Sequence, residues 1–69
     1  MKLSARNVLK GRVTRVVRGA TTGHVELDIG GGAVITASVT MEGIRELALR
    51  KGDRAVAIIK ASDVIVGKE

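Results

Sequence analysis

Ser4-Ala5-Arg6-Asn7 near the start of the chain and Lys60-Ala61-Ser62 near its end each set a fixed positive charge two residues from a hydroxyl. Residues i and i+2 share one face of an extended segment, so each cluster presents its cation and its hydroxyl together. Brought side by side, the clusters would aim guanidinium, ammonium and hydroxyl donors at one point. The fitting guest is a small oxyanion, which only accepts hydrogen bonds and carries its charge on oxygen. Arginine adds a planar fork and lysine a compact charge, and the two together can neutralise a dianion. Taken singly, the same residues are solvated flanking charges and local caps. The oxyanion reading depends on their meeting.

Two further stretches carry donors. Thr40-Met41-Glu42-Gly43 reads as a helix start, whose unpaired backbone N–H groups and partial positive charge suit an anion. Gly43 would let such a guest approach the backbone closely. Arg18-Gly19-Ala20-Thr21-Thr22-Gly23-His24 is a polar connection with two glycines and two threonines. It is either an ordinary strand connection or a backbone nest for a second anion, with Arg18, Gly19, Thr21, Thr22, Gly23 and His24 as its candidates. Gly30-Gly31-Gly32 lacks the flanking pattern of a nucleotide-binding loop and reads as turn chemistry.

Catalytic and metal chemistry find little support. Asp28, Asp53 and Asp63 fall in turns or at strand ends, with no Ser/His/Asp spacing and no carboxylate pair. The chain has no cysteine and one histidine, His24, which cannot build a metal site alone. The expectation is a protein that is not an enzyme.

The elements that must position these residues are short. Leu9, Gly11, Val13 and Val17 alternate with Lys10, Arg12, Thr14 and Arg18, the period of a half-buried strand, with Arg15 and Val16 as imperfections. His24 to Ile29 alternates without exception, and Val25, Leu27 and Ile29 face inward. The glycine triplet then turns the chain into a third strand, Ala33 to Val39, which makes a hairpin. Met41, Ile44, Leu47 and Ala48 recur at helical spacing behind Thr40 as N-cap, predicting a short helix over 41–48. Arg54 to Lys60 is apolar on both faces, as in a strand covered on both sides. Asp63 to Val66 reads as a fifth strand. Five short strands with one helix between the third and fourth predict an all-β, OB-fold-like barrel, one domain over residues 1–69.

Sixty-nine residues without cysteine, proline or any aromatic side chain leave few ways to stabilise a monomer. A chain of this size buries only about 60% of its unfolded surface. Disulfides and a structural metal being absent, oligomerisation remains. The 45% apolar fraction exceeds what one small core needs, and the surplus suits subunit interfaces. A formal charge of +5 and a pI near 10.5 point to an anionic partner. Single-stranded nucleic acid is the alternative for a basic OB barrel. Such barrels stack bases on aromatic rings, and this chain has none. Arg12, Arg15 and Arg18 would supply only non-specific phosphate contacts. No apolar run reaches membrane-spanning length, and Met1-Lys2 leads into polar residues rather than a signal-peptide core, which predicts a cytoplasmic protein.

The motifs also carry a resemblance. Ser4-Ala5-Arg6-Asn7 opening a small β domain, Val39-Thr40-Met41-Glu42-Gly43 before the helix, and Lys60-Ala61-Ser62 closing the fourth strand resemble the molbindin (Mop) family. The same module, TOBE, occurs in molybdate-responsive regulators and molybdate-transporter ATPases. The resemblance covers essentially the whole chain and implies the free-standing form. It implies a cytoplasmic protein that binds molybdate, and tungstate, for storage or homeostasis, in a hexamer built from three dimers. Carried over by motif, Ser4, Ala5, Arg6, Lys60, Ala61 and Ser62 would form one side of a pocket between subunits, closed by Thr40 and Gly43 of the neighbouring chain. Related modules can have a hydroxyl residue where Gly43 stands. The family also has a second class of site near a threefold axis, for which the 18–24 loop is the candidate. A ligand-free oligomerisation module is the remaining alternative.

Overall fold

The computed structural model describes residues 4–69; the Met1-Lys2 start lies outside the described residues. Its strands are β1 (Asn7–Val17), β2 (Thr22–Gly30), β3 (Ala33–Thr40) and β4 (Arg54–Ile59), with the helix α1 (Met41–Glu46) between β3 and β4. They form one antiparallel sheet in the order β3-β2-β1-β4. The long β1 makes this possible. Its first half pairs with β4, from Asn7 opposite Ile59 to Arg12 opposite Arg54. Its second half pairs with β2, from Arg12 opposite Asp28 to Val17 opposite His24.

The predicted alternation of β1 fails at one point. The register slips between Val13 and Arg15, so Thr14 is the extra residue of a bulge and the strand changes phase there. Val16 therefore turns inward and packs against the core, while Val17, expected inside, lies exposed. The β2–β3 hairpin agrees with its sequence. Gly30, Gly31 and Gly32 take φ values of 94°, 62° and 82°, which side chains disfavour, and Asp28 Oδ1 accepts the Gly30 N–H at 2.8 Å.

The core gathers Val13, Val25, Leu27 and Ala57 from the sheet and Met41 and Ile44 from α1. At Gly23 a Cβ would stand 2.6 Å from Val17 O and 2.7 Å from Ile44 Cδ1, so the helix seats directly on bare backbone. Helix α1 is shorter than the 41–48 expectation. Ala48 adopts φ 51°, and the Leu49 N–H reaches back to Ile44 O at 3.1 Å, a left-handed cap that ends the helix early. The Arg50–Asp53 turn is stitched to β1, with Val13 N–H donating to Asp53 O at 2.8 Å and Gly52 N–H to Val13 O at 2.7 Å.

Two expectations at the C-terminal end are corrected. Residues 63–66 form no strand: a 3₁₀ turn, Ala61–Asp63, follows β4, and beyond it Ile65 and Val66 are 95% and 88% exposed. A strand exists only through pairing, and this segment has no partner edge among the described residues. The β barrel is consequently a curled four-stranded sheet with β3 and β4 as its edges. Nor is β4 covered on both sides within the chain, since Val56 and Ile58 lie exposed on its outer face with Val8 of β1.

Candidate oxyanion site

The pairing of β1 with β4 decides where the two end clusters lie. Asn7 stands opposite Ile59, and its Nδ2 donates to Ile59 O at 3.1 Å across 52 positions of sequence. The chain entering β1 and the chain leaving β4 are thereby held side by side. Ser4, Arg6, Lys60, Ala61 and Ser62 line one depression of about 270 Å³. Ala5, between two of them, is half-buried and outside that lining.

The local turn shapes the β4 side of the depression. After Lys60 the chain closes a 3₁₀ turn, with Asp63 N–H donating to Lys60 O at 2.9 Å and Val64 N–H to Ala61 O at 3.2 Å. No side chain caps this turn, and a turn of this kind leaves its first N–H groups without internal partners. The depression thus combines two cations, two hydroxyls and an uncapped turn (Lys60, Arg6, Ser4, Ser62). All five lining residues except Ala61 carry a polar side chain, and none carries a negative charge. That donor set suits an anion of fixed geometry and repels cations. Among the described residues no group of three His, Cys, Asp or Glu could hold a metal ion.

Thr40 and Gly43 stand elsewhere. Thr40 ends β3, at the sheet edge opposite β4, and caps α1 by accepting the Gly43 N–H on Oγ1 at 3.0 Å. Neither residue lines the depression in the same chain. The N-cap role read for Thr40 is thus seen, and it engages the Gly43 N–H that the anion reading of the helix start counted as unpaired.

The 18–24 stretch divides. Arg18 to Thr21 connects the strands, and Thr22, Gly23 and His24 belong to β2, paired with Thr40, Val39 and Ser38. Thr21 O accepts the Met41 N–H at 2.9 Å. A Cβ on Gly19 would stand 2.3 Å from Thr22 O, so that glycine is required by the tight path. None of these residues has a positive φ. Sequence reasoning missed one cationic grouping altogether: Lys10, Arg12 and Arg54 meet at the far end of the β1–β4 ladder. Their signal was spread over two strands that only the pairing joins.

The TOBE domain matches residues 3–66. The chain belongs to the TOBE-domain family. The motif resemblance to its molbindin branch is borne out by relatives that match end to end. A probable molybdenum-pterin-binding protein of Haemophilus influenzae is 48% identical over 69 residues, covering 100% of both chains. A solved molybdate-binding protein from Sporomusa ovata superimposes with a TM-score of 0.92 at 32% identity, covering 99% of this chain and 100% of that one. The cytoplasmic molybdate-binding protein ModG, solved with molybdate bound, gives 0.90 at 48% identity, covering 94% of this chain and 46% of ModG. Within the TOBE family, then, this chain resembles small molybdate-binding proteins over nearly its whole length.

Proposed function

We propose that this chain is a non-catalytic molybdate-binding protein that stores or buffers the oxyanion in the cytoplasm, with tungstate as an equivalent guest. One observation carries the reading: the Asn7–Ile59 pairing gathers Ser4, Arg6, Lys60, Ala61 and Ser62 around a single depression. A tetrahedral dianion taken out of water needs matched charge and several donors at once. Two cations, two hydroxyls and an uncapped turn meet that need with no metal coordination by the protein. The relatives named for molybdate and molybdenum-pterin binding support the same guest.

The pocket is completed between chains. Thr40 and Gly43 sit at the β3 edge and the cationic wall at the β4 edge, so a second copy brings the helix start of one chain to the wall of the next. The surfaces for such contact are present. Val8 and Ile58 lie exposed opposite one another on one face of β1 and β4, and Ile65 and Val66 are exposed after the 3₁₀ turn. Contiguous exposed apolar surface of this kind marks protein contacts. A hexamer of three dimers is the assembly this reading carries. Arg18, Thr21, Thr22 and His24, all exposed, form its second anion site, with Gly19 and Gly23 permitting the close chain path.

Calorimetric titration together with thermal melts in molybdate, tungstate, sulfate and phosphate tests the proposal. Expected are a stoichiometry near or above one per chain, competition between molybdate and tungstate, and a raised melting temperature with each of these two ions. A ligand at a hundred times its Kd stabilises a fold by about 2.7 kcal/mol, which a melt registers easily. An oligomer that gives no heat and no shift with any oxyanion would leave the ligand-free oligomerisation module as the better description. Salt-sensitive retention of single-stranded oligonucleotide, indifferent to molybdate, would favour the nucleic-acid alternative.

A further inference from the structure

The far end of the β1–β4 ladder holds a second polar basin. Lys10, Arg12 and Arg54 line an open depression of about 690 Å³ together with Asp28, Ala55 and Val56. It is separate from the Arg6–Lys60 depression. Asn7 opposite Ile59 and Arg12 opposite Arg54 mark the two ends of the ladder, and five residues of strand span ~17 Å.

Its lining defines what it can bind. Arg12 and Arg54 face each other directly across the ladder, with Lys10 on the same face two residues away; like charges directly opposite one another destabilise a sheet unless something neutralises them. Arg12 is also held in place, its Nη1 donating to Gly52 O at 2.7 Å, so its guanidinium is pre-oriented. The one acidic group is Asp28, opposite Arg12 on β2, whose Oδ1 accepts the Gly30 N–H at 2.8 Å. Three positive charges against one negative leave an excess of two (3 − 1 = 2) among the lining residues. Val56, exposed on the same face as the three cations, adds apolar surface. The volume lies within the roughly 300–1,000 Å³ of organic-ligand pockets and far exceeds the need of a lone tetrahedral ion.

We propose that this basin binds a phosphate monoester. Its dianion matches the excess charge and sits against Lys10, Arg12 and Arg54. Its organic body lies on Val56, which shares the outer face with the three cations, with a hydroxyl or amino donor placed on Asp28 Oδ2. Sugar phosphates and nucleoside monophosphates share this chemistry. The proposal is independent of molybdate binding at the other end of the ladder.

The test uses the full chain in its own assembly, saturated with molybdate, and titrated with ribose 5-phosphate, guanosine monophosphate and inorganic phosphate. The chain has no aromatic residue, so bound guanosine monophosphate is read directly by absorbance in equilibrium dialysis, and calorimetry follows the others. At least one ester should bind tenfold or more tightly than inorganic phosphate, and the tighter of the two tells a sugar source from a nucleoside source. Arg54→Ala and Lys10→Ala should each weaken that ester tenfold or more, whereas Arg45→Ala, which removes the same charge from α1, should change it less than twofold. Failure of both esters to bind, equal binding of inorganic phosphate, or equal effects of Arg54→Ala and Arg45→Ala would overturn the assignment.

Discussion

The cationic wall at the β4 edge and the helix start at the β3 edge both present anion-binding chemistry, yet they are built in opposite ways. The wall is non-local: Arg6 and Lys60 meet because one ladder joins positions 52 apart, and the lining side chains are exposed rather than packed. The helix start is local and closed. Thr40 Oγ1 already accepts the Gly43 N–H, and Met41 and Ile44 anchor the segment in the core. The wall supplies charge at no cost to packing. The helix start supplies position and is stabilised by the rest of the fold. Substitutions should therefore separate binding from stability in the first region and couple them in the second.

Ile44→Ala gives the largest effect. Ile44 is 1% exposed and among the largest fully buried side chains, and truncating a buried isoleucine costs about 2–5 kcal/mol. In a domain this small that is a large share of the total, so chemical denaturation should show a steep loss of stability. Molybdate binding should fall with it, because the helix start loses its anchor. An unchanged midpoint would mean that α1 is not held by the core.

Arg6→Ala and Lys60→Ala come next and should do the reverse. A hydrogen bond to a charged group contributes roughly 1.5–3 kcal/mol, so each variant should weaken molybdate binding about 10- to 100-fold by calorimetry. Both side chains are exposed, and the melting temperature without ligand should move little. Wild-type affinity in both variants would remove the wall from the site.

How much of this was legible in the sequence differs between the same two regions. The helix start was readable because capping is local chemistry: a threonine, an acidic first turn and helical spacing over a few residues. The β2–β3 hairpin was readable for the same reason, since Asp28 and three glycines encode the turn in one stretch. The wall could be suspected only from the repeated cation–hydroxyl pairing, because its formation depends on register between the first and last strands. The bulge at Thr14 left a trace in Arg15 and Val16, which break the alternation. The residue types of Thr14-Arg15-Val16-Val17 favour neither phase, so the change of face that exposes Val17 was not readable. The fifth strand failed for a related reason. Val64-Ile65-Val66 has the composition of a strand, but composition cannot provide an edge to pair with. The opposition of Arg12 and Arg54 was likewise invisible until pairing placed them together.

Thr40→Ala should blend the two behaviours. Loss of an N-cap side chain costs about 1 kcal/mol, visible as a modest drop in melting temperature. In the proposed assembly the hydroxyl also faces the wall of the next chain, so molybdate affinity should fall beyond what the stability loss explains. Equal affinity at a lowered melting temperature would reduce Thr40 to a cap and nothing more.

Gly43→Ala is the smallest and most discriminating change. Glycine inside a helix is disfavoured by about 1 kcal/mol relative to alanine, which favours the substitution. Against it, the new Cβ would lie 3.2 Å from both Thr40 Oγ1 and Val39 Cγ1, a tight fit that offsets much of the gain. The net stability change should be within about 0.5 kcal/mol, the range usual for substitutions that create neither a cavity nor an unpaired polar group. Binding need not follow. If the anion reaches the backbone at Gly43, a methyl group there obstructs it and affinity drops while the melt stays flat. If affinity is also unchanged, the guest is held by the wall and by Thr40, and the glycine serves only the close packing of α1 on β3.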